Sequence, residues 1–310
     1  MCRRLWRSCT PTSRATARRS FRSGGGACTQ KPPRMTGRDH MIHNEVALLA
    51  SLRHPRLVRL LRSHHTHAHV YMLMELVTGG DLFDAIARNV KFSEVCAAGM
   101  VRDISEGLKF IHNRRIAHRD IKPENLLRHG DSCITLKLAD FGLALLVTEP
   151  LFTICGTPTY VAPEILAETG ECYGVAVDVW AMGVILYVLL CGFPPFRSAE
   201  RNQTELFRLI RAGELHFFSP YWDMVSTGAK DLIRALLQVN PKGRLTATQT
   251  LQHDWLRSFC RTMLSVVLYL HLRHLANALT TCFQVTINEV VSSGSLGPPT
   301  MNTIFLFTLL

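Results

Sequence analysis

Three short polar segments between residues 118 and 164 hold the side chains that are best suited to chemistry. In chain order they are His118-Arg119-Asp120-Ile121-Lys122-Pro123-Glu124-Asn125, Asp140-Phe141-Gly142 and Ala162-Pro163-Glu164. The first segment places a carboxylate, an ammonium group and an amide close together, and the second adds another carboxylate. Such groups can accept a proton from a hydroxyl, neutralise negative charge and bind a hard cation such as Mg²⁺. Together they suit phosphoryl transfer, which depends on positioning and charge neutralisation more than on covalent help.

The order and spacing of these segments resemble the catalytic loop, the magnesium-binding segment and the Ala-Pro-Glu segment of protein kinases. The resemblance implies that Asp120 accepts the proton of the substrate hydroxyl and that Lys122 reaches the transferred phosphoryl group. Asn125 and Asp140 would then bind Mg²⁺ through their side-chain oxygens. Lys122, together with the segment Gly156-Thr157-Pro158-Thr159-Tyr160, resembles the serine/threonine class of kinases rather than the tyrosine class.

The residues that precede the Ala-Pro-Glu segment would form the activation segment of such an enzyme. The resemblance implies that Thr157 in this segment bonds to the catalytic Asp120 and Lys122. Thr153 is a candidate for phosphorylation, and a phosphate there could pair with Arg119 and order the segment. An unmodified loop threonine is an equally good interpretation of Thr153.

Four further residues match positions that support a kinase active site, and they are Glu45, Glu164, Asp178 and Arg244. The segment Asp178–Gly183 resembles the buried central helix of the large lobe, and its Asp178 would brace the catalytic loop by accepting backbone N–H groups. Arg244 would pair with Glu164, since a guanidinium can bind a carboxylate through two hydrogen bonds. Glu45 matches the helix glutamate that pairs with a strand lysine in the active state.

The resemblance also locates the cofactors that it implies, ATP and Mg²⁺. The segment Met74-Glu75-Leu76-Val77 resembles the hinge whose backbone holds adenine, and Leu127 matches the floor of the adenine pocket. The residues expected around the nucleotide are Glu75, Val77, Asp81, Glu124, Leu127 and Asp140. The acids Asp81 and Glu124 would also favour protein substrates with a basic residue upstream of the target hydroxyl.

Three segments narrow the resemblance within the kinases, and the first of them is residues 156–162, Gly156 to Ala162. The other two lie on either side of it in the sequence. Gly79-Gly80-Asp81-Leu82-Phe83-Asp84 and Leu190-Cys191-Gly192-Phe193-Pro194-Pro195-Phe196 resemble the doublecortin-like branch of the calcium/calmodulin-dependent kinase group. The resemblance covers roughly residues 39–256. It implies a serine/threonine protein kinase, a transferase that moves the γ-phosphoryl group of ATP to protein substrates.

The elements that must position these residues indicate an α+β protein. Residues 39–52 have helical periodicity, residues 57–61 and 70–77 have strand character, and residues 78–256 are mainly helical. We therefore expect a protein-kinase-like bilobal fold with a truncated small β-lobe and a mainly helical large lobe. The predicted regions are a basic disordered arm at 1–38, the kinase domain at 39–256 and a hydrophobic tail of unknown structure at 257–310.

The predicted small lobe lacks two features of the family. No G-x-G-x-x-G segment precedes Glu45, and the only lysine before it, Lys31, is followed by prolines, which cannot donate to a sheet. Three strands of a five-stranded sheet would be missing, Glu45 would lack its lysine partner, and the remaining strands would expose an edge. Two interpretations stay open: an active kinase, or a catalytically impaired pseudokinase or scaffold that binds partners through its C-terminal lobe. ATP analogues are expected to stabilise the chain weakly or not at all.

The charge of the chain is concentrated at one end. The net charge is +11, and residues 1–38 hold nine Arg, one Lys and no acid. Because the remainder is nearly balanced, no nucleic-acid partner is expected. No stretch of 18 residues is free of polar interruptions, so no membrane partner is expected either.

The ten cysteines contain no C-x-x-C pair, so a zinc ribbon is not expected. A chain of 310 residues needs no disulfides to fold, which favours reduced thiols and a cytoplasmic or nuclear location. After the predicted kinase domain, Arg257, Phe259, Arg261 and Met263 weakly resemble a calmodulin-binding helix. An ordinary hydrophobic tail is the better interpretation of this segment, and calmodulin is kept as a minor candidate partner.

Overall fold

The computed structural model describes part of the chain. The described residues are 5–9, 39–66, 69–89, 91–129, 135–148, 151–153, 155–167, 173–198, 200 and 202–259, with the backbone alone for 5–9 and 39–41. They all belong to the first of two units, Met1–Phe259. The second unit, Cys260–Leu310, lies outside the described residues, and most of the predicted hydrophobic tail lies there.

A small antiparallel sheet with one helix forms the first part of the fold. Its strands are β1 (Leu5–Cys9), β2 (Leu60–His65) and β3 (Val70–Met74), in the order β1-β3-β2. Helix α1 (Asp39–Ser51) packs against β2. It buries Ile42, Val46 and Leu49, the apolar residues whose spacing predicts a helix here.

Strand β1 comes from the segment that was expected to be a disordered arm. It pairs with β3 along its whole length, from Leu5 opposite Met74 to Cys9 opposite Val70. Strand β1 therefore covers one edge of β3, while β2 remains at the outer edge of the described sheet, so an exposed edge is still present among the predicted strands. An open edge presents unpaired N–H and C=O groups, so an extended segment gains hydrogen bonds by adding there. The sequence around β1 is rich in Arg and shows no strand periodicity, which explains why the strand was not predicted.

The large lobe consists of six helices and four short strands in the part of the chain that the structure describes. The helices are α2 (Leu82–Asn89), α3 (Glu94–His112), α4 (Ala176–Cys191), α5 (Gln203–Ala212), α6 (Thr227–Leu236) and α7 (Ala247–Thr250). The strands are β4 (Ile116–Ala117), β5 (Leu126–Arg128), β6 (Leu136–Leu138) and β7 (Leu145–Leu146), paired as β4-β7 and β5-β6. The predicted α+β kinase-like fold, with few strands and a mainly helical large lobe, is confirmed.

Helix α4 lies at the centre of the large lobe. Every residue from Val177 to Cys191 is buried, and helices α3 and α6 pack against it. The helix ends at Gly192, whose φ of 93° is a left-handed geometry that glycine adopts without steric cost. The segment is thus a core helix, as the resemblance of Asp178–Gly183 to a buried central helix implies. Among the described residues, no helix is both long and apolar enough to cross a bilayer.

The segment after α1 ties the small sheet to the large lobe. The Val58 N–H donates to the Leu138 carbonyl at 2.9 Å, and the Leu138 N–H donates to the Arg56 carbonyl at 2.8 Å. Arg56 also forms an ion pair with the buried Asp103 of α3 at 2.9 Å. These contacts fix the end of α1 against β6, the strand that leads directly to Asp140.

Candidate active site

The catalytic loop runs between β4 and a single 3-10 turn, Pro123–Asn125. The buried carboxylate of Asp178, in the first turn of α4, accepts the His118 N–H at 2.9 Å and the Arg119 N–H at 2.8 Å. Ring Nε2 of His112 lies 2.8 Å from the same carboxylate. Burial alone would raise the pKa of Asp178, but the hydrogen bond and charge of His112 and the backbone hydrogen bond from His118 hold it below its usual value. The Asp178 carboxylate thus contacts the backbone of the loop that it was predicted to brace.

The carboxylate of Asp120 is the centre of the site. Its Oδ2 accepts hydrogen bonds from Lys122 Nζ at 2.7 Å and from Asn125 Nδ2 at 3.2 Å. Its Oδ1 accepts one from the Thr157 hydroxyl at 2.9 Å, and that hydroxyl accepts one from Lys122 Nζ at 3.2 Å. The structure therefore brings these four predicted residues together, and the bonds expected for Thr157 are present.

His118 lies directly beneath the loop and has no exposed surface. Its Nδ1 accepts the Asp120 N–H at 3.4 Å, and its Nε2 lies 3.1 Å from the Ala139 carbonyl oxygen. These partners fit a neutral ring that carries its proton on Nε2. Burial lowers the pKa of His118, although the charges of the nearby carboxylates act in the opposite direction. The neutral ring thus links the catalytic loop to the backbone just before Asp140.

The buried neutral ring of His118 predicts a fold that loses stability in acid. Its pKa in the folded chain lies below the ordinary value of 6.5, so the unfolded chain binds more protons as the pH falls through that value. The contribution of His118 to the free energy of unfolding is fully present above about pH 6.5. It is lost as the pH falls from there toward the folded-state pKa, by at most about 1.4 kcal/mol per pH unit. Thermal unfolding at a series of pH values from about 7.5 to 5.5 measures this slope.

The control for this prediction is His118→Asn, which removes the titrating group and keeps a polar side chain. The variant should be less stable than the natural chain at the upper end of the pH range, because hydrogen bonds are lost. Its stability should then fall less steeply with acid. Parallel curves for the two proteins would contradict the assignment of the slope to His118.

Asp140 follows β6 with a φ of 62°, in the left-handed region that few residues other than glycine adopt. The Ala139 N–H donates to the Asn125 carbonyl at 2.8 Å, which holds this segment against the catalytic loop. Asp140 Oδ1 accepts the Gly142 N–H at 3.3 Å. A methyl group on Gly142 would lie 3.2 Å from that oxygen and 3.5 Å from Glu45 Oε2. The buried Glu45 of α1 therefore reaches the segment that contains Asp140.

The oxygen atoms at this point suit a hard cation. Asn125 uses its amide nitrogen to bond Asp120, and no hydrogen bond to its amide oxygen occurs within the described residues. With the Asp140 carboxylate, this oxygen supplies two hard ligands. In the same part of the chain, no group of three or more His, Cys, Asp or Glu side chains is arranged to hold a metal. Mg²⁺ usually binds one or two protein side chains together with phosphates and water, so the residues present fit Mg²⁺ with a nucleotide.

The segment predicted to be the hinge follows directly after β3. Glu75 and Arg59 form two hydrogen bonds. The Glu75 N–H donates to the Arg59 carbonyl, and the Arg59 N–H donates to the Glu75 carboxylate, both at 3.0 Å. The same carboxylate pairs with Lys137 of β6 at 2.7 Å. Val77 is half-buried, and Leu127 lies opposite Lys137 in the β5-β6 pair. Sequence reasoning missed Lys137, because one lysine in a short strand carries no motif.

The two acids predicted near the nucleotide and the substrate are both close to β5, since Asp81 bridges to it and Glu124 precedes it in the chain. Asp81 caps α2, since its Oδ1 accepts the Asp84 N–H at 2.8 Å, and its backbone bridges to Leu127. Glu124 is exposed in the 3-10 turn. Burial raises the pKa of Tyr160, and the nearby charge of Glu124 acts in the same direction. Asp81 thus has a structural task, while Glu124 is accessible to a substrate.

The predicted activation segment has its own contacts. Thr153 is exposed, which suits a phosphorylation site. Arg119, the expected partner of a phosphate there, donates through Nε to the Leu143 carbonyl at 2.7 Å and through Nη1 to the Tyr173 hydroxyl at 3.1 Å. Phosphorylation of Thr153 stays a prediction.

The Ala-Pro-Glu segment is anchored as expected. Arg244 donates to the two carboxylate oxygens of Glu164 at 2.7 and 2.9 Å, in the two-bond geometry that guanidinium groups favour. It also donates to the Gln238 and Ala176 carbonyls. The Arg244 side chain is 0% exposed, so the pair is a buried structural contact.

A small sheet with one helix, a mainly helical lobe, and a carboxylate held by Lys, Asn and Thr side chains are together the architecture and the site of a protein kinase. The sequence comparison agrees, because residues 28–256 match the protein kinase domain family, and the chain belongs to that family.

The similarity extends to one branch of the family. The chain is 57% identical over 224 residues to serine/threonine-protein kinase DCLK3 of Mus musculus, which is 72% of this chain and 28% of that protein. It is 54% identical over 231 residues to DCLK3 of Homo sapiens, 74% of this chain and 35% of that protein. It is 52% identical over 227 residues to DCLK1 of Rattus norvegicus, 73% of this chain and 52% of that protein. The predicted membership of the doublecortin-like branch is confirmed, and the chain spans about half the length of these relatives or less.

Proposed function

We propose that the chain is a serine/threonine protein kinase that transfers the γ-phosphoryl group of ATP to a hydroxyl group of a protein. One observation carries the proposal. The Asp120 carboxylate is bonded at the same time by Lys122, Asn125 and Thr157. A structural loop has no need of four convergent polar side chains, whereas phosphoryl transfer requires a positioned base beside a cation.

The contacts support a role for each residue in this proposal. Asp120 accepts the proton of the substrate hydroxyl, and Lys122 neutralises charge on the phosphoryl group as it moves. Thr157 holds the Asp120 carboxylate and Lys122 in one orientation, because its hydroxyl bonds to both. Asn125 and Asp140 would hold Mg²⁺, which screens the negative charge of the phosphates when it is bound.

Nucleotide affinity is expected to be modest. The sequence contains no glycine-rich segment of the kind that covers phosphates, so the binding energy would come mainly from the hinge around Glu75 and Val77 and from the metal site. Leu127, which belongs to the large lobe, would contact the adenine ring.

We infer that the protein substrates carry a basic residue upstream of the target hydroxyl, because Glu124 offers an accessible carboxylate beside the catalytic loop. A cytoplasmic location and a place in the calcium/calmodulin-dependent group agree with the reduced thiols and the motifs. Calmodulin itself has weaker support. The Phe259 ring packs against Trp255 with centroids 5.3 Å apart, and Arg261 and Met263 lie outside the described residues.

The test uses the purified chain with Mg²⁺, labelled ATP at saturating concentration and two serine peptides that differ only in having arginine or alanine upstream. Transfer to the arginine peptide should be about tenfold faster, as expected for one charge-assisted hydrogen bond. Glu124→Gln should reduce that preference, and Glu214→Gln, an exposed acid elsewhere, should not. No transfer to either peptide would contradict the proposed function, whereas equal transfer to both would contradict the substrate preference alone.

A further inference from the structure

Tyr173 joins the two ends of the activation segment. Its backbone pairs with Leu151, since the Tyr173 N–H donates to the Leu151 carbonyl at 3.0 Å and the Leu151 N–H donates back at 3.4 Å. Its side chain is buried, with 6% of the residue exposed. Backbone hydrogen bonds therefore join the start of the activation segment to the chain that follows the Ala-Pro-Glu residues.

The Tyr173 hydroxyl lies at the centre of a second set of contacts. It donates to the Thr153 carbonyl at 2.6 Å and accepts a hydrogen bond from Arg119 Nη1 at 3.1 Å. Cys155 Sγ lies 3.8 Å from it. Burial raises the pKa of Tyr173, so the hydroxyl keeps its proton and can donate at neutral pH.

Arg119 connects these contacts to the catalytic residue. It immediately precedes Asp120, and its backbone is fixed by Asp178 in a left-handed conformation with a φ of 67°. A Cβ atom on Gly156 would lie 2.9 Å from the Arg119 carbonyl oxygen, so the activation segment also packs closely on Arg119 from the other side. Movement of the segment therefore acts directly on the backbone that carries Asp120.

The neutral Tyr173 hydroxyl binds Arg119, the residue that was expected to pair with a phosphate on Thr153. A phosphate on Thr153 would order the segment by pairing with Arg119. In the structure, Arg119 already bonds to the Tyr173 hydroxyl and to the Leu143 carbonyl, and the segment is held with an unmodified Thr153. The contacts that a phosphate would supply are made by a tyrosine.

We propose that Tyr173 is a positioning residue that holds the activation segment in its working arrangement through Arg119, without phosphorylation of Thr153. The expected effect of Tyr173 on the reaction rate rests on the proposed kinase function. Its expected effect on the order of the activation segment does not depend on that function. It also specifies the regulation of the site: the kinase is ready when folded, and modification of Thr153 adds little.

The experiment compares three variants of the whole chain with the natural chain. Tyr173→Phe removes the hydroxyl and keeps the ring. Tyr187→Phe is the matched control, because the Tyr187 hydroxyl also donates to a carbonyl at 2.6 Å, that of His216, away from the activation segment. Thr153→Ala removes the phosphorylation site. Amide hydrogen exchange of residues 151–157, phosphate content by mass spectrometry and steady-state kinetics are measured on each.

We expect Tyr173→Phe to speed exchange in residues 151–157 about tenfold or more, the factor that corresponds to one hydrogen bond to a charged group. It should lower kcat by a similar factor and leave the KM for ATP nearly unchanged. Tyr187→Phe and Thr153→Ala should leave both the exchange and kcat at the natural level. Unchanged exchange in Tyr173→Phe would overturn the proposal.

Phosphatase treatment distinguishes the contribution of the Tyr173 hydroxyl from that of a phosphate on Thr153. If Thr153 is phosphorylated and its dephosphorylation speeds exchange in residues 151–157 as much as Tyr173→Phe does, then the phosphate is the tether and the proposal is wrong. If the natural chain transfers no phosphate at all, the proposed function fails, and the exchange measurements still decide whether Tyr173 holds the segment.

Discussion

Replacing Asp120 with asparagine should lower the rate of phosphoryl transfer by a factor of about 10² to 10⁴, the usual contribution of a positioned general base. Asparagine has the same size and retains an oxygen that can accept the bond from the Thr157 hydroxyl. It cannot accept a proton, and it leaves Lys122 without the carboxylate that lies 2.7 Å away. The loss should therefore fall on kcat, with little change in the KM for ATP.

The rate is measured with labelled ATP under saturating conditions, and the melting temperature is measured on the same preparations. Asp223→Asn is the matched control, because Asp223 is an exposed aspartate whose carboxylate accepts a bond from Ser219 far from the loop. The control should keep the natural rate. A rate for Asp120→Asn within about twofold of the natural chain would remove Asp120 from the role of base.

Truncating Arg244 to alanine should lower the free energy of unfolding by about 3–5 kcal/mol, the cost of breaking one side of a buried ion pair. Glu164, with 6% of its side chain exposed, would remain as a buried charge without its guanidinium. The Gln238 and Ala176 carbonyls would lose a donor as well. The guanidinium also lies 5.1 Å from the ring centroid of Trp180 in α4, so packing against the core helix would be lost too.

Urea denaturation of the two proteins measures this difference in stability. Arg208→Ala is a sharp control, because Arg208 also makes two hydrogen bonds to one carboxylate, that of Glu205, but at the surface. It should have no measurable effect, since solvent screens such pairs. The double variant Glu164→Ala with Arg244→Ala should regain part of the loss. A loss below about 1 kcal/mol for Arg244→Ala would show that the pair is not the anchor of the segment.

Much of the site could be predicted because its residues are close in sequence or belong to short motifs. The loop from His118 to Asn125 contains the carboxylate, the ammonium group and the amide of the site within one short stretch of sequence. The distant partners Thr157 and Arg244 could be predicted only because the motifs that contain them fix their roles in related proteins. Composition and periodicity alone would not have paired residues so far apart.

The features that could not be predicted depend on tertiary packing. Strand β1 forms because β3 offers an open edge, and no pattern within Leu5–Cys9 indicates a strand. The pair between Lys137 and Glu75 and the contacts of Tyr173 join residues without a motif. In each case the partner is chosen by which groups the fold brings within reach, and this information is spread over the whole chain.

The hydrogen bonds described for the Asp120 side chain come only from Lys122, Asn125 and Thr157, and the loop backbone is held by Asp178. All of these residues belong to the helical lobe, and none of the described bonds comes from the small sheet. Chemical competence and nucleotide capture are therefore separable properties of this molecule. Variants at the predicted hinge after β3 should change the affinity for ATP, while the side chains that position Asp120 would keep the contacts that they make within the helical lobe.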